Sequence, residues 1–317
     1  MTENKRIRVA LLAGGRSGER EVSLAGAAGF EAAIDREKYS LTRYDPKTDL
    51  IRIAQEANSI DVAFILLHGV YGEDGTMQGY LELLGIPYQG AGVLGSGLAM
   101  DKNMAKILYR EQGLPVAKWC MAVAENKINA AHILEKLSFP LVVKPVREGS
   151  SLGMSVAANL EALQEGICLA YEHDSQVMVE EFIKGREITV GVIGNDDLLA
   201  LPLIEIIPGD EFEFFDFKAK YEKGATKEIC PADVGADIVK TAQRYAVDSH
   251  KALQLRGYSR TDMMLSEDGK LYVLETNTIP GMTPTSLLPQ AAKVAGLNFT
   301  ALIDRLLTLA LESSGGG

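Results

Sequence analysis

Short apolar runs alternate with helical patterns in the first third of the chain. Residues 8–13 and 61–67 have the pattern of buried strands, and each is followed by a glycine-rich turn. Helices are predicted over residues 25–34, 76–84 and 96–112, with a short strand at 86–88. Strands that alternate with helices indicate an open parallel α/β sheet. We place this sheet in a first domain, residues 1–100.

The apolar pattern changes in the middle of the chain. Strands are predicted at residues 119–123, 141–145 and 176–181, and helices at 130–137 and 160–171. These elements form a compact α+β unit, which we place at residues 101–184.

The last third begins with two alternating, antiparallel strand patterns at residues 186–193 and 200–206. A long polar and aromatic segment follows at about 208–230, and segments of this length inside a domain are often functional lids. Helices are predicted at 236–255 and 298–311. We place a third domain at residues 185–317, also α+β, with the lid at about 208–230 and a hairpin at 259–277.

The hairpin carries the strongest chemical signal. Asp268-Gly269 is typical of a two-residue turn, and pairing outward from it puts Arg260 opposite Asn277 and Asp262 opposite Glu275. All four side chains then share one face. Two opposed carboxylates repel each other, and a divalent cation between them would remove that penalty. Carboxylate and amide oxygens suit Mg²⁺. The alternative is a solvated face with salt bridges.

Composition narrows the class of protein. The net charge of −11 argues against nucleic acid as a partner, and no apolar run reaches the length of a membrane span. Cys120, Cys168 and Cys230 lack the spacing of a metal site and indicate a reducing compartment. With no signal-sequence pattern at the N-terminus, we expect a cytoplasmic protein without nucleic-acid or membrane partners.

Several loops at predicted strand ends could bind ligands. The loop Gly149-Ser-Ser-Leu-Gly153 would let backbone N–H groups approach phosphate, with Lys144 just upstream, although a plain turn is the alternative. Glu19 and His68 follow the first two strands, where doubly wound sheets bind ligands. Neither a Walker A loop nor a dinucleotide fingerprint is present.

These segments, taken in order, resemble the D-alanine–D-alanine ligases of the ATP-grasp superfamily over nearly the whole chain. The motifs that carry the resemblance are residues 14–23, 68–75, 100–102, 143–153, 220–221, 260–262 and 275–281. The resemblance implies three domains, in which the N-terminal open α/β sheet is followed by two α+β domains that sandwich ATP. It also implies a homodimer.

The resemblance assigns the nucleotide site residue by residue. Lys102, Lys144, Ser151 and Lys220 would face the ATP phosphates. Glu180, Glu181, Phe182, Ile183 and Glu187 would hold adenine and ribose. Asp262, Glu275 and Asn277 would bind two Mg²⁺ ions, with Mn²⁺ as a possible substitute.

The resemblance also assigns the sites of two D-alanine molecules. Glu19 would bind the ammonium of the first, near His68, and would form a hydrogen-bonded group with Ser150 and Tyr221. Arg260 and the backbone of Gly281 would stabilise the oxyanion. Ser286 and Leu287 would receive the carboxylate of the second D-alanine.

The implied activity joins two D-alanines through a D-alanyl phosphate, with release of ADP and phosphate, for peptidoglycan precursors. A ligase with another second substrate, such as D-lactate, is the nearest alternative, and Tyr221 favours an amine. A non-catalytic nucleotide-binding protein would be expected to lack a metal ligand or Arg260, and a dehydrogenase would need the missing dinucleotide fingerprint. Thr261 and Thr276 depart from the apolar or small residues usual in the family.

Overall fold

The computed structural model describes residues 6–122, 130–149, 151–209 and 226–312. Its first sheet is parallel, in the order β2-β1-β3, with β1 at Ile7–Ala13, β2 at Tyr39–Tyr44 and β3 at Val62–Leu66. Every residue of β3 is buried, as its unbroken apolar run predicts. The edge strand β2 was not predicted, because its exposed Thr42 and Arg43 interrupt the apolar pattern.

Helices cover this sheet: α1 at Arg20–Ala33, α2 at Leu50–Glu56 and α3 at Thr76–Leu83. Gly14 makes the turn from β1 possible, because its φ is +96° and a Cβ there would lie 2.8 Å from the Asp45 carboxylate. The strand predicted at residues 86–88 is wrong: only one isolated bridge forms, between Tyr88 and Ala63.

The helix predicted over residues 96–112 is two helices, α4 at Val93–Met100 and α5 at Lys102–Glu111. Asp101 separates them, because its backbone is extended and its carboxylate accepts a hydrogen bond from the Met104 N–H at 3.0 Å. An aspartate in this N-cap position starts a new helix rather than continuing the old one.

The middle sheet is antiparallel, in the order β4-β7-β5-β6. Its strands are Trp119–Ala122 (β4), Leu141–Pro145 (β5), Ser155–Ala157 (β6) and Val177–Glu181 (β7). Helices α6 (Ala130–Leu134) and α7 (Leu160–Tyr171) complete the unit, and its apolar core is separate from the others.

The third sheet is also antiparallel, in the order β11-β10-β8-β12-β13, with β9 paired to β8. Its strands are Gly185–Gly194 (β8), Leu199–Ala200 (β9), Ile204–Pro208 (β10), Thr226–Ile229 (β11), Gly257–Ser266 (β12) and Leu271–Asn277 (β13). Helix α8 (Ala236–Ala252) lies between β11 and β12 in the sequence. Two helices follow β13: α9 (Leu287–Val294) and α10 (Phe299–Glu312).

The apolar cores cross the predicted domain limits. Leu288 of α9 and Leu306 of α10 share one core with Leu11 and Phe64 of the first sheet. Tyr109 of α5 belongs to the core of the third sheet rather than to that of the middle sheet. The limits at residues 100 and 184 stay predictions.

Within the described ranges, no single helix has the length and apolar character needed to cross a membrane. The pair α9 and α10, bent by 102°, meets the criterion only when the two helices are taken together.

The hairpin β12–β13 confirms the predicted pairing at the site but not at the turn. Arg260 pairs with Asn277, and Asp262 pairs with Glu275. The turn itself is one residue longer than predicted: the Ser266 N–H bonds to the Lys270 carbonyl, and Gly269 has a φ of +79°. A register shift next to Asp262 then restores the predicted pairing, as a β-bulge does.

Candidate active site

A cleft lies between the middle sheet and the third sheet. Ten predicted nucleotide or metal residues line it: Lys102, Lys144, Ser151, Glu180, Glu181, Phe182, Ile183, Glu187, Asp262 and Glu275. Apolar side chains that sequence reasoning did not single out complete its walls: Val142, Met154, Val156, Met264 and Leu274. A cleft with apolar walls and convergent charges suits a ligand that has a flat ring and an anionic tail.

Two lysines meet one buried carboxylate on the middle-sheet side. The Lys144 ammonium lies 2.5 Å from one oxygen of Glu180, and the Lys106 ammonium lies 2.6 Å from the other. Burial alone would raise the pKa of Glu180, but the two lysines outweigh it and lower this pKa to about 2. The Glu180 carboxylate therefore contacts both lysines at the edge of the cleft, and the adenine or ribose contact that the resemblance implies for this residue stays a prediction.

Lys102 lies at the start of α5 and reaches across the cleft. Its ammonium donates to the Glu148 carbonyl at 2.7 Å and lies 3.3 Å from the Glu275 carboxylate. The loop Gly149–Gly153 follows Glu148, and Ser151 there has a φ of +58°. Lys102 thus joins the loop that follows β5 to the hairpin of the third sheet.

Asp262 is the centre of the hairpin's polar face. Arg260 donates two hydrogen bonds to it, at 2.8 and 2.7 Å, and the Asn277 amide donates a third at 3.0 Å. Thr189, its neighbour on β8, donates a fourth at 2.6 Å. Thr189 was not predicted, although it lies two residues beyond Glu187 and so on the same face of its strand.

The same hairpin is anchored on its opposite face by the two unusual threonines. Thr261 and Thr276 are buried and hydrogen-bonded to each other at 3.0 Å, and the Tyr109 hydroxyl donates to Thr276 at 2.7 Å. Apolar residues could not make these bonds, so the threonines tie the hairpin to α5.

The hairpin residues fit a divalent cation by donor chemistry. Asp262 and Glu275 are direct cross-strand partners, and Asn277 offers an amide beside them. Within the described ranges, no group of three His, Cys, Asp or Glu side chains is arranged to hold a metal. A set of two carboxylates and one amide is nevertheless a hard oxygen donor set that suits Mg²⁺.

Glu19 and His68 lie together at the carboxyl end of the first sheet. A Cβ on either Gly69 or Gly149 would come within 3.1 Å of the Glu19 carboxylate, which places this side chain between two loops. Burial lowers the pKa of His68, opposed by the charge of Glu19, so the imidazole is neutral at neutral pH.

Glu73 is a further acid at this end that was not predicted. It accepts a hydrogen bond from the Gly69 N–H at 2.7 Å. Burial, followed by the nearby charge of Glu19, raises its pKa to about 8. A carboxyl that holds its proton limits the negative charge gathered beside Glu19.

Ser286 and Leu287 lie where α9 begins. Ser286 is the N-cap residue, and its hydroxyl accepts from the Thr283 N–H at 3.1 Å rather than from the helix. Gly281 is adjacent, since a Cβ there would lie 3.0 Å from the Ser286 hydroxyl. The first N–H groups of α9 are therefore not capped by this side chain, and such groups favour an anion.

Three predicted site residues, Ser150, Lys220 and Tyr221, lie outside the described residues, as does most of the predicted lid. Their roles stay predictions.

A parallel α/β sheet followed by two antiparallel sheets, with lysines and an acidic hairpin facing one cleft, defines an ATP-grasp protein. Models of the D-ala D-ala ligase N-terminus and C-terminus match residues 44–91 and 108–308. The D-alanine–D-alanine ligase of Desulfotalea psychrophila is 57% identical over 98% of this chain and 97% of its own length.

Solved structures of two ligases superpose on nearly the whole of this chain. The Bacillus anthracis D-alanine–D-alanine ligase complexed with ATP superposes with a TM-score of 0.85 at 36% identity, over 98% of this chain and 99% of that one. The VanG D-Ala:D-Ser ligase of Enterococcus faecalis has a TM-score of 0.83 at 32% identity, over 96% of this chain and all of its own. The chain belongs to the D-alanine–D-alanine ligase family, which confirms the resemblance and the predicted fold class.

Proposed function

We propose that this protein joins two D-alanine molecules to D-alanyl-D-alanine with ATP, releasing ADP and phosphate. The observation that carries the proposal is the cleft itself, where Lys102 and Lys144 face the Asp262–Glu275 hairpin. Family membership supplies the reaction class. By the same membership we place the step in the cytoplasm, in the synthesis of peptidoglycan precursors, and expect a homodimer.

ATP would lie in the cleft with its adenine between the apolar walls, which include Met154 and Met264. The segment Glu181–Ile183 would offer backbone groups to the adenine, and Glu187 would bind the ribose. Lys102, Lys144 and Ser151 would then lie along the phosphates, with Lys220 added by the lid.

Asp262, Glu275 and Asn277 would hold Mg²⁺, for which Mn²⁺ could substitute, and the bound ions would offset the negative charge of the phosphate oxygens. The requirement follows from charge: two opposed carboxylates beside a polyphosphate repel it unless a cation intervenes.

The first D-alanine would bind with its ammonium on Glu19, beside a neutral His68 that adds no competing positive charge. Its carboxylate attacks the γ-phosphorus of ATP, the bond to ADP breaks, and a D-alanyl phosphate forms. Ser150 and Tyr221 would join Glu19 and order the lid, which keeps water from the acyl phosphate.

The second D-alanine would place its carboxylate on Ser286 and the N-terminus of α9 at Leu287. Its free amine attacks the acyl carbon, and phosphate leaves as the peptide bond forms. The Arg260 guanidinium, aligned by its two bonds to Asp262, would stabilise the negative charge that develops on the acyl oxygen, together with the Gly281 backbone.

The test is phosphate release by the purified protein with ATP and Mg²⁺, in the presence of D-alanine, L-alanine or no amino acid, and with the product identified by mass. We expect release only with D-alanine and a product of two D-alanyl units. Phosphate release that is independent of D-alanine would contradict the proposal. Competition of D-alanine with D-serine and D-lactate then tests the second substrate, because a similar fold occurs in a D-Ala:D-Ser ligase.

A further inference from the structure

Lys106 is a charged residue buried beneath the cleft rather than in it. It lies on α5 one turn beyond Lys102, and its side chain is 0% exposed. Its ammonium is 2.6 Å from Glu180, 3.4 Å from the Ala117 carbonyl and 5.4 Å from the centre of the Trp119 ring. Lys106 is absent from the cleft lining, whereas Glu180 and Lys144 are part of it. A direct contact with a nucleotide is therefore not its role.

The three charges form a row in which Glu180 is shared. One carboxylate oxygen contacts Lys144 and the other contacts Lys106, so the row carries two positive charges and one negative charge. Without Lys106, the remaining Lys144–Glu180 pair would have no net charge. A phosphate approaching Lys144 would then meet an ammonium whose charge Glu180 has neutralised. The attraction between the phosphate and the site would be much weaker than with Lys106 present, because charges interact strongly at short distances in a buried site.

Lys106 also connects two parts of the molecule. Its helix packs in the core of the third sheet, through Ala105 and Tyr109, while Glu180 is on β7 of the middle sheet. A buried ion pair holds such elements together, because separating them would leave each charge buried without its partner.

We propose that Lys106 is a positioning residue of the nucleotide site: it balances the charge of Glu180, so that the positive charge of Lys144 remains available to the ATP phosphates. The inference rests on the proposed function, because it takes the cleft to be the ATP site. The same inference gives Glu180 the role of orienting the Lys144 side chain.

The first test is Lys106→Met, which keeps an unbranched apolar side chain of similar volume but removes the ammonium group. Glu180 retains Lys144, so no buried charge is left without a partner. We expect the KM for ATP and the dissociation constant for ATP by calorimetry to rise about tenfold, with the KM for D-alanine unchanged. The matched control is Lys118→Met, because Lys118 pairs with the next residue, Glu181, at 3.3 Å but is 75% exposed; we expect no change there.

The decisive variant is the double substitution Lys106→Met with Glu180→Gln. It removes one positive and one negative charge together, which restores the net charge of the wild-type row at Lys144. We expect its ATP affinity to return to within about twofold of the wild type. A role limited to holding α5 would predict no such recovery.

The outcomes separate the two proposals. Wild-type protein that does not bind ATP would overturn the proposed function. Wild-type protein that binds ATP, with unchanged affinity in folded Lys106→Met or no recovery in the double variant, would overturn this inference alone. If Lys106→Met does not fold, the ATP affinity of the double variant decides whether the inference holds: an affinity within about twofold of the wild type supports it, and a weaker affinity overturns it.

Discussion

Asp262 offers the sharpest test of the site, because four hydrogen bonds from three residues converge on one side chain that is 6% exposed. In Asp262→Asn, the amide keeps one accepting oxygen and turns an NH₂ group toward donors. Arg260, itself 14% exposed, loses its bidentate partner. Breaking a buried ion pair from one side costs about 3 kcal/mol, and we expect that loss in the free energy of unfolding.

The assay is urea unfolding followed by circular dichroism, together with D-alanine-dependent phosphate release. Activity should fall by at least about 100-fold, because a candidate metal ligand and the alignment of Arg260 are lost together. Asp268→Asn is the control: Asp268 belongs to the same hairpin and pairs with Lys270, but it is 56% exposed, and we expect no measurable change in the free energy of unfolding or in turnover. Wild-type stability and turnover in Asp262→Asn would refute the reasoning.

Two further predictions concern stability. In Tyr109→Phe, loss of the buried hydroxyl bond to Thr276 should lower the free energy of unfolding by about 1 kcal/mol, measured by urea unfolding; an unchanged midpoint would argue against the anchor. Burial lowers the pKa of His250 to about 4, from an unfolded value of about 6.5. Because this pKa is lower in the folded state than in the unfolded state, the neutral His250 imidazole contributes to the free energy of unfolding above about pH 6.5. This contribution, about 3 kcal/mol, is lost as the pH falls toward 4. His250→Gln, which can still bond to Ser259, should show a shallower decline over that range, and parallel curves would disprove this assignment.

The hairpin illustrates how far sequence reasoning reached. The pairing of Asp262 with Glu275 was predicted from a two-residue turn, yet the turn has an additional residue, and a bulge beside Asp262 compensates for it. Turn chemistry located the hairpin because Gly269 has the positive φ that favours glycine. It could not fix the turn's exact length, since a bulge leaves no clear mark in the residue pattern.

Contacts between side chains that lie far apart in the sequence could not be predicted. Lys106 lies within a helical pattern and meets Glu180 only when α5 packs beside β7. Thr189 reaches Asp262 because β8 pairs with β12, which no local signal specifies. Helix α9 was missed as well, although its buried residues Leu287, Leu288, Ala291 and Ala292 have helical spacing, and it packs against β8 of the third sheet.

Helix α5 carries Lys102, Lys106 and Tyr109 at spacings of four and three residues, so all three lie on one face. They reach Glu275, Glu180 and Thr276, respectively. One inserted or deleted residue between Lys102 and Lys106 would rotate the two parts of the helix relative to each other by about 100°. In a variant library, this stretch should therefore accept substitutions at its exposed positions, such as Met104, while rejecting every change of length.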